Sequence, residues 1–179
     1  MRRHVCRLVA CVIVAGPLGP AVAAETRVGV EMGTSTEREV DVGRLVLDRT
    51  ITPALPLGES LVARPRVALS LGLLQAWSPG RWQQARISEG ALRLVVQLSL
   101  ARHPRAFLEA GSGPVYLSRR RIGRWDLGKT WQFRSHVGLG ARLGRRVSLT
   151  YRYSHTSNAN LGDPNPGINF HALLLSYRI

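Results

Sequence analysis

A histidine and a serine two residues apart, His155 and Ser157, stand at the end of an alternating apolar stretch. Side chains two apart on a strand point to one face, so this pair can approach the hydrogen-bonding contact that a general base and a nucleophile need. His-x-Ser alone is a common dipeptide spacing, and its parity is what sharpens it. Val147, Leu149, Tyr151 and Tyr153 form an odd-numbered apolar and aromatic face that His155 and Ser157 continue, while Ser148, Thr150 and Arg152 lie opposite. On the following stretch Asn169 and His171 share parity with Leu173, Leu175, Tyr177 and Ile179. A hairpin through Asp163-Pro164-Asn165-Pro166-Gly167 brings Asn169 back beside His155. If the apolar face meets lipid, the polar cluster points outward at the end of a greasy stripe. The chemistry that such a pair offers is attack by a base-activated hydroxyl on a group presented from the membrane side.

The elements that position these residues are strands. The recurring signal is period two, the mark of segments whose faces meet different surroundings. Leu92, Leu94, Val96, Leu98 and Leu100 share one face of 91–101, with Arg93, Gln97 and Ser99 on the other. Trp131, Phe133, Val137, Leu139 and Ala141 oppose Gln132, Arg134 and His136. Weaker candidates lie near Thr26–Met32, Glu37–Leu47, Arg66–Trp77 and Arg105–Leu117. Breaks at Ser78-Pro79-Gly80, at Gly144-Arg145-Arg146 and at 163–167 separate them. About eight strands result, each near the ~9–11 residues that cross a bilayer at a tilt. The alternation by itself also suits a soluble β-sandwich. The aromatic residues Trp77, Trp131 and Tyr153 toward strand ends, and the basic opposite faces, favour an eight-stranded antiparallel transmembrane β-barrel. Closure would leave no strand edge unpaired in lipid.

Residues 1–24 read as a secretory signal peptide, and 25–179 as the barrel. Arg2, Arg3 and Arg7 precede an apolar run, followed by Gly16, Pro17, Gly19 and Pro20 and then small residues at Ala21, Ala23 and Ala24. The run is far short of the roughly 20 residues of a membrane helix, and its continuation past Cys11 argues against a lipoprotein signal. Cys6 and Cys11 both lie in this segment, so the mature part has neither a disulfide framework nor a cysteine metal site. No clustered metal ligands or glycine-rich phosphate loop suggest a metal or cofactor. The chain has 25 basic and 11 acidic residues; less the three arginines of the signal, 22 face 11, a net +11. Such a charge calls for an anionic partner, and for an exported protein a phosphorylated lipid surface fits better than nucleic acid. Arg119, Arg120, Arg121 and Arg124 with Lys129 could grip lipid phosphates or form a periplasmic-turn or surface charge cluster. His136 reads as a lumen residue, His103 as a turn residue, and Glu109 as the partner of an interior arginine such as Arg134.

With an even strand count and periplasmic termini, the seventh strand climbs outward and the eighth returns. The 158–167 loop then faces the outside, where lipopolysaccharide lies. The run His155-Thr156-Ser157-Asn158-Ala159, with Leu161, Pro164-Asn165 and Gly167, resembles the terminal signature of the lipid A 3-O-deacylases (PagL type). Phe107–Pro114 and Phe133–Gly140 are also similar to that family, so the resemblance covers about the C-terminal half.

The resemblance implies an outer-membrane esterase, without metal or cofactor, that removes the acyl chain at the 3-position of lipid A. Ser157 would attack the carbonyl, His155 would move the proton, and Asn158 would hold the oxyanion. The family pattern places a glutamate where this chain has Asn169. An amide can orient a histidine but supplies no negative charge to an imidazolium. Parity favours Asn169 for this role, and Asp163 in the loop is the alternative acid. Partners implied are lipopolysaccharide and outer-membrane lipids, with a homodimer through lipid-facing strands also open. The alternative function is a non-catalytic barrel that binds lipopolysaccharide or serves structurally.

Overall fold

A computed structural model describes residues 25–35, 40–77, 85–123 and 125–179. The expected signal segment, residues 37–39 of the second strand candidate, the Ser78-Pro79-Gly80 break and Arg124 lie outside them. Eight long strands run in chain order: β1 (Thr26–Ser35), β2 (Val40–Thr50), β3 (Leu61–Ala76), β4 (Ala85–Leu100), β5 (Ala106–Leu117), β6 (Trp131–Arg142), β7 (Val147–Ser157) and β8 (Ile168–Arg178). Each pairs antiparallel with its sequence neighbour, and β8 pairs back onto β1, from Arg27↔Arg178 to Thr34↔His171. The sheet is therefore a closed barrel of eight antiparallel strands, the architecture that the aromatic strand ends and the basic opposite faces favour over a sandwich. A short strand, Leu55–Leu57, adds to the start of β3, and a ribbon of Arg121–Ile122 with Trp125–Asp126 decorates the β5–β6 loop.

Two strands are longer than the sequence suggests. β3 begins at Leu61 and passes through Pro65, which sits just beyond the last β2 partner, Thr50↔Arg66. The missing N–H of Pro65 therefore interrupts no pairing with β2, while its carbonyl still accepts from Ile51 N at 3.2 Å. β4 begins at Ala85 and carries Glu89 and Gly90 before the regular leucine alternation starts.

The outward face is an apolar belt in which Val30, Met32, Leu45, Leu71, Leu94, Leu139 and Leu173 are all exposed. In water such a surface would be a severe liability; it is the lipid face of a membrane-spanning barrel. The inward face is polar at mid-height. Arg44 bridges Glu31 and Glu89, and Arg152 bridges Glu109 at 2.5 Å and Glu31 at 2.7 Å. Arg134 forks onto Glu89 at 2.8 and 2.6 Å. Glu109 pairs with an interior arginine as expected, but that arginine is Arg152 and not Arg134: the register across the lumen gives Arg152 to Glu109, together with Gln97 at 3.2 Å. His136 is buried 3.4 Å from Glu109, a lumen residue as its parity implies. Above this layer the lumen turns apolar, with Val40, Leu74, Ile87, Val115, Ile168 and Phe170 in contact with Ile122 and Leu127 from the β5–β6 loop. That loop closes the end of the barrel where the β7–β8 loop emerges.

Candidate active site

The hairpin of β7 and β8 pairs His155 directly with Asn169. Both side chains face outward, and His155 Nδ1 lies 2.6 Å from Asn169 Oδ1. The amide oxygen can only accept, so Nδ1 carries the proton and donates, which leaves Nε2 unprotonated and able to act as a base. Ser157 is the last residue of β7, on the same face and opposite Phe133 of β6. Among the described residues its hydroxyl forms no hydrogen bond, so Nε2 and Oγ share a face without yet being bonded. Such contacts often tighten only when substrate binds.

Asp163 is exposed in the β7–β8 loop and pairs with nothing among the described residues. The structure thus brings Asn169, and not Asp163, to the histidine. Asn158 departs from its expected place. Its even position turns the side chain inward, where it is fully buried. Nδ2 donates to the carbonyls of Gly162 at 2.9 Å and Pro164 at 3.0 Å, with a longer contact to Leu127 at 3.4 Å. With its amide hydrogens committed to the loops, this side chain is a brace, not a donor aimed at an oxyanion outside the barrel.

The brace extends further. Asn165 Oδ1 accepts from Asn158 N at 2.9 Å, and its Nδ2 donates to Asn160 Oδ1 at 2.7 Å. Ala159 and Asn160 adopt left-handed conformations, with φ of 53° and 61°. A non-glycine residue there costs about 1–2 kcal/mol, and two in succession, starting two residues after Ser157, mark a turn held by its surroundings. Gly128 of the β5–β6 loop sits so close to this turn that a Cβ would fall 2.0 Å from Pro164 O. Arg119, Arg120, Arg121 and Lys129 are therefore at the site end of the barrel, not in a turn at its other end. Arg121 and Arg120 lie 3.1 and 3.5 Å from Asp126, whose carboxyl is held below its ordinary range by the Gly128 N–H and then by these arginines.

Two features escape a reading by motif. Gly167, with φ +59°, lies under the imidazole, and a Cβ there would meet His155 Cε1 at 2.5 Å. Its place at the end of Asn-Pro-Gly marked only a turn. Beside His155, Ser135 of β6 pairs in register, and its hydroxyl lies 2.9 Å from that of Ser112 on β5. Ser112, Ser135, His155 and Asn169 thus form a polar row across four strands of the outer wall. One step below, Tyr151 Oη is 2.6 Å from His171 Nδ1.

Comparison with known proteins agrees with this architecture. The chain is 36% identical over 74 residues to the lipid A deacylase PagL of Bordetella bronchiseptica, and 37% identical over 67 residues to that of Pseudomonas aeruginosa. These matches cover 41% and 37% of this chain, and span only 42% and 39% of the relatives' own lengths. A crystal structure of the outer membrane enzyme PagL superposes with a TM-score of 0.73 at 22% identity, covering 86% of this chain and 99% of that one. A designed transmembrane β-barrel matches less well, with a TM-score of 0.52 at 13% identity over 87% of this chain and 95% of that one. At such identities these two report the fold. The family model for lipid A 3-O-deacylase (PagL) matches residues 60–178, which takes in β3 through β8 and every residue of the outward cluster. The chain belongs to the lipid A 3-O-deacylase (PagL) family.

Proposed function

We propose that this barrel lies in the outer membrane and hydrolyses the ester-linked acyl chain at the 3-position of lipid A, with Ser157 as nucleophile. The observation that carries the reading is the His155–Asn169 hydrogen bond on the outer wall, at the level of Ser157 and at the loop end of the barrel. His155 Nε2 takes the Ser157 proton as Oγ attacks the acyl carbonyl, then returns it to the departing sugar hydroxyl. Water hydrolyses the acyl-enzyme through the same base. Asn169 fixes the tautomer and ring plane of His155.

The oxyanion needs donors outside the wall. With the Asn158 side chain turned inward, that role falls to the main-chain N–H groups of Ala159 and Asn160. They follow Ser157 in the strained turn and donate to no group among the described residues. One well-aimed donor contributes ~2.7–4 kcal/mol to such a transition state. The exposed Arg120 and Arg121, near the same loops, supply positive charge for the phosphates of lipid A.

The test is mass spectrometry of lipid A after incubation with the detergent-folded protein and with its Ser157→Ala variant. Loss of one 3-hydroxyacyl chain with the wild type alone is the expected result. Unchanged lipid A with a demonstrably folded barrel would favour a non-catalytic barrel that binds lipopolysaccharide. The solution mass of the detergent complex decides whether two copies associate through their lipid-facing strands.

A further inference from the structure

The far end of the barrel holds a second charged feature that the esterase does not use. A cavity of about 230 Å³ opens where the start of β1, the end of β8 and the β6–β7 turn meet, lined by Arg27, Arg64, Arg142, Arg145, Arg146 and Arg178, with Glu25 as its only acid among the described residues. Ser148, in its wall, is seven residues from His155 along β7, or ~23 Å at strand spacing. The two sites thus lie at opposite ends of the barrel.

The arginines are held in place largely by neutral acceptors. Arg64 Nη1 donates to Ser99 Oγ at 2.8 Å, Arg142 Nη1 to the Pro104 carbonyl, and Arg146 Nη1 to Tyr177 Oη at 2.9 Å. Each of these bonds uses one guanidinium nitrogen of a group with five N–H donors. Arg27 pairs with Glu25 at 2.6 Å. Burial works against the charge of Glu25, but Arg27, ahead of Arg66 and Arg178, outweighs it and holds the carboxyl below its usual range. Even with Glu25 ionised, the cavity lining carries six arginines against one carboxylate. A structural ion-pair network would balance its charges, as the three glutamates at mid-lumen largely do.

We infer that this cavity is a binding site for a phosphate-bearing anion, entering from the end of the barrel that carries the β6–β7 turn. Planar guanidinium forks match phosphate oxygens in pairs, and several of them around one cavity favour a multiply charged group over a single carboxylate. The phosphate comes either from a soluble phosphate or from the headgroup of an anionic phospholipid in the leaflet around that rim.

Direct binding measurements keep this inference independent of the deacylase reading. The detergent-folded full chain is titrated calorimetrically with inorganic pyrophosphate at constant ionic strength, and separately with phosphatidylglycerol in zwitterionic micelles free of soluble phosphate. Saturable binding is expected, weakened at least 10-fold in an Arg64→Gln, Arg142→Gln double variant and severalfold in Arg145→Gln. Arg145 is exposed in a turn and makes no hydrogen bond or ion pair among the described residues, so its variant serves even if the double variant folds poorly. Lipid A turnover by Arg145→Gln should equal wild type. Arginine-dependent binding of pyrophosphate identifies a soluble ligand, and of the lipid alone a headgroup. Failure of both probes to saturate, or equal binding by wild type and variants, overturns the site.

Discussion

Gly167→Ala should remove most activity without removing the barrel. The residue sits at φ +59°, where a Cβ costs about 1–2 kcal/mol. The added methyl would also lie 2.5 Å from His155 Cε1 and 3.1 Å from Nε2. Carbon atoms rest at about 3.5–4.0 Å, so the ring or the turn must move by roughly 1 Å. A free side chain would swing aside at little cost. This ring is held by its 2.6 Å bond to Asn169, so relief means losing that bond or shifting Nε2 away from Ser157. Misplacement of a reacting group by 1 Å costs on the order of 10²-fold in rate. Gly58 supplies the control: its φ is +69°, and a Cβ there meets nothing within 4 Å. Gly58→Ala carries the backbone strain without the contact. The measurements are kcat for 3-hydroxyacyl release from lipid A, and unfolding followed by heat-modifiable electrophoretic migration. Both variants should lose comparable stability, and only Gly167→Ala should lose about 10²-fold in kcat. A Gly167→Ala enzyme of normal kcat, or an equal loss in Gly58→Ala, would refute the claim that Gly167 seats the catalytic ring.

The other expectations follow from the same contacts. Asn169→Asp keeps the shape of the orienting group and adds the missing charge, so kcat should rise about 10-fold. Because a carboxylate favours the imidazolium and raises its pKa, the acid limb of the pH–rate profile should move to higher pH; an unmoved limb would show that residue 169 does not couple to the base. Asn158→Ala removes the hydrogen bonds that its buried amide donates to the Gly162 and Pro164 carbonyls, each contributing ~0.5–1.5 kcal/mol. Denaturant unfolding and turnover should both suffer, whereas a variant impaired in turnover at full stability would restore a direct oxyanion role. Glu89→Gln leaves Arg44 and Arg134 facing a neutral group, and breaking such a buried pair costs about 3–5 kcal/mol. A shift in the unfolding midpoint is the readout, and an unchanged midpoint would show that the interior network contributes little.

The parts of this molecule written in the local sequence are those governed by period two. Lipid outside and a polar lumen inside force strict alternation, so β4, β6, β7 and β8 are visible, and so is the outward direction of His155. The meeting of His155 with Asn169 needs only parity and one short hairpin. What crosses the barrel is not written locally. Glu31 and Arg152 are 121 positions apart and meet only because β8 closes on β1, so assigning Glu109 to Arg134 failed for want of the register of the closed sheet. Pro65 hid the start of β3 because its tolerance depends on β2 ending one residue earlier. Asn158 was different: its even number already placed it inside, and the family role obscured what the alternation implied. Gly167 carries only the signature of a turn, and its second task, making room for a ring twelve residues back, exists only once the hairpin is folded.

The inside of the barrel bears on the chemistry of its outside. The loop end is closed by Phe170, Ile122 and Leu127 above the charged layer, so an ester has no route to His155 through the lumen. On the proposed reading it arrives along the outer wall, where the row from Ser112 to Asn169 interrupts the apolar surface between Val137 and Leu139 on one side and Phe133 and Trp131 on the other. Directly behind that row, Arg134 donates to Thr156 Oγ1 at 2.8 Å, one residue from His155 on the same strand. An uncompensated arginine there would oppose formation of an imidazolium. Glu89 forks onto it from the lumen side and neutralises it. With an amide at residue 169, the outer site has no acid of its own among the described residues, so this buried pair matters more here than beside a carboxylate. The charged lumen thus stabilises the wall and also shields the outer histidine from the field of the arginine behind it.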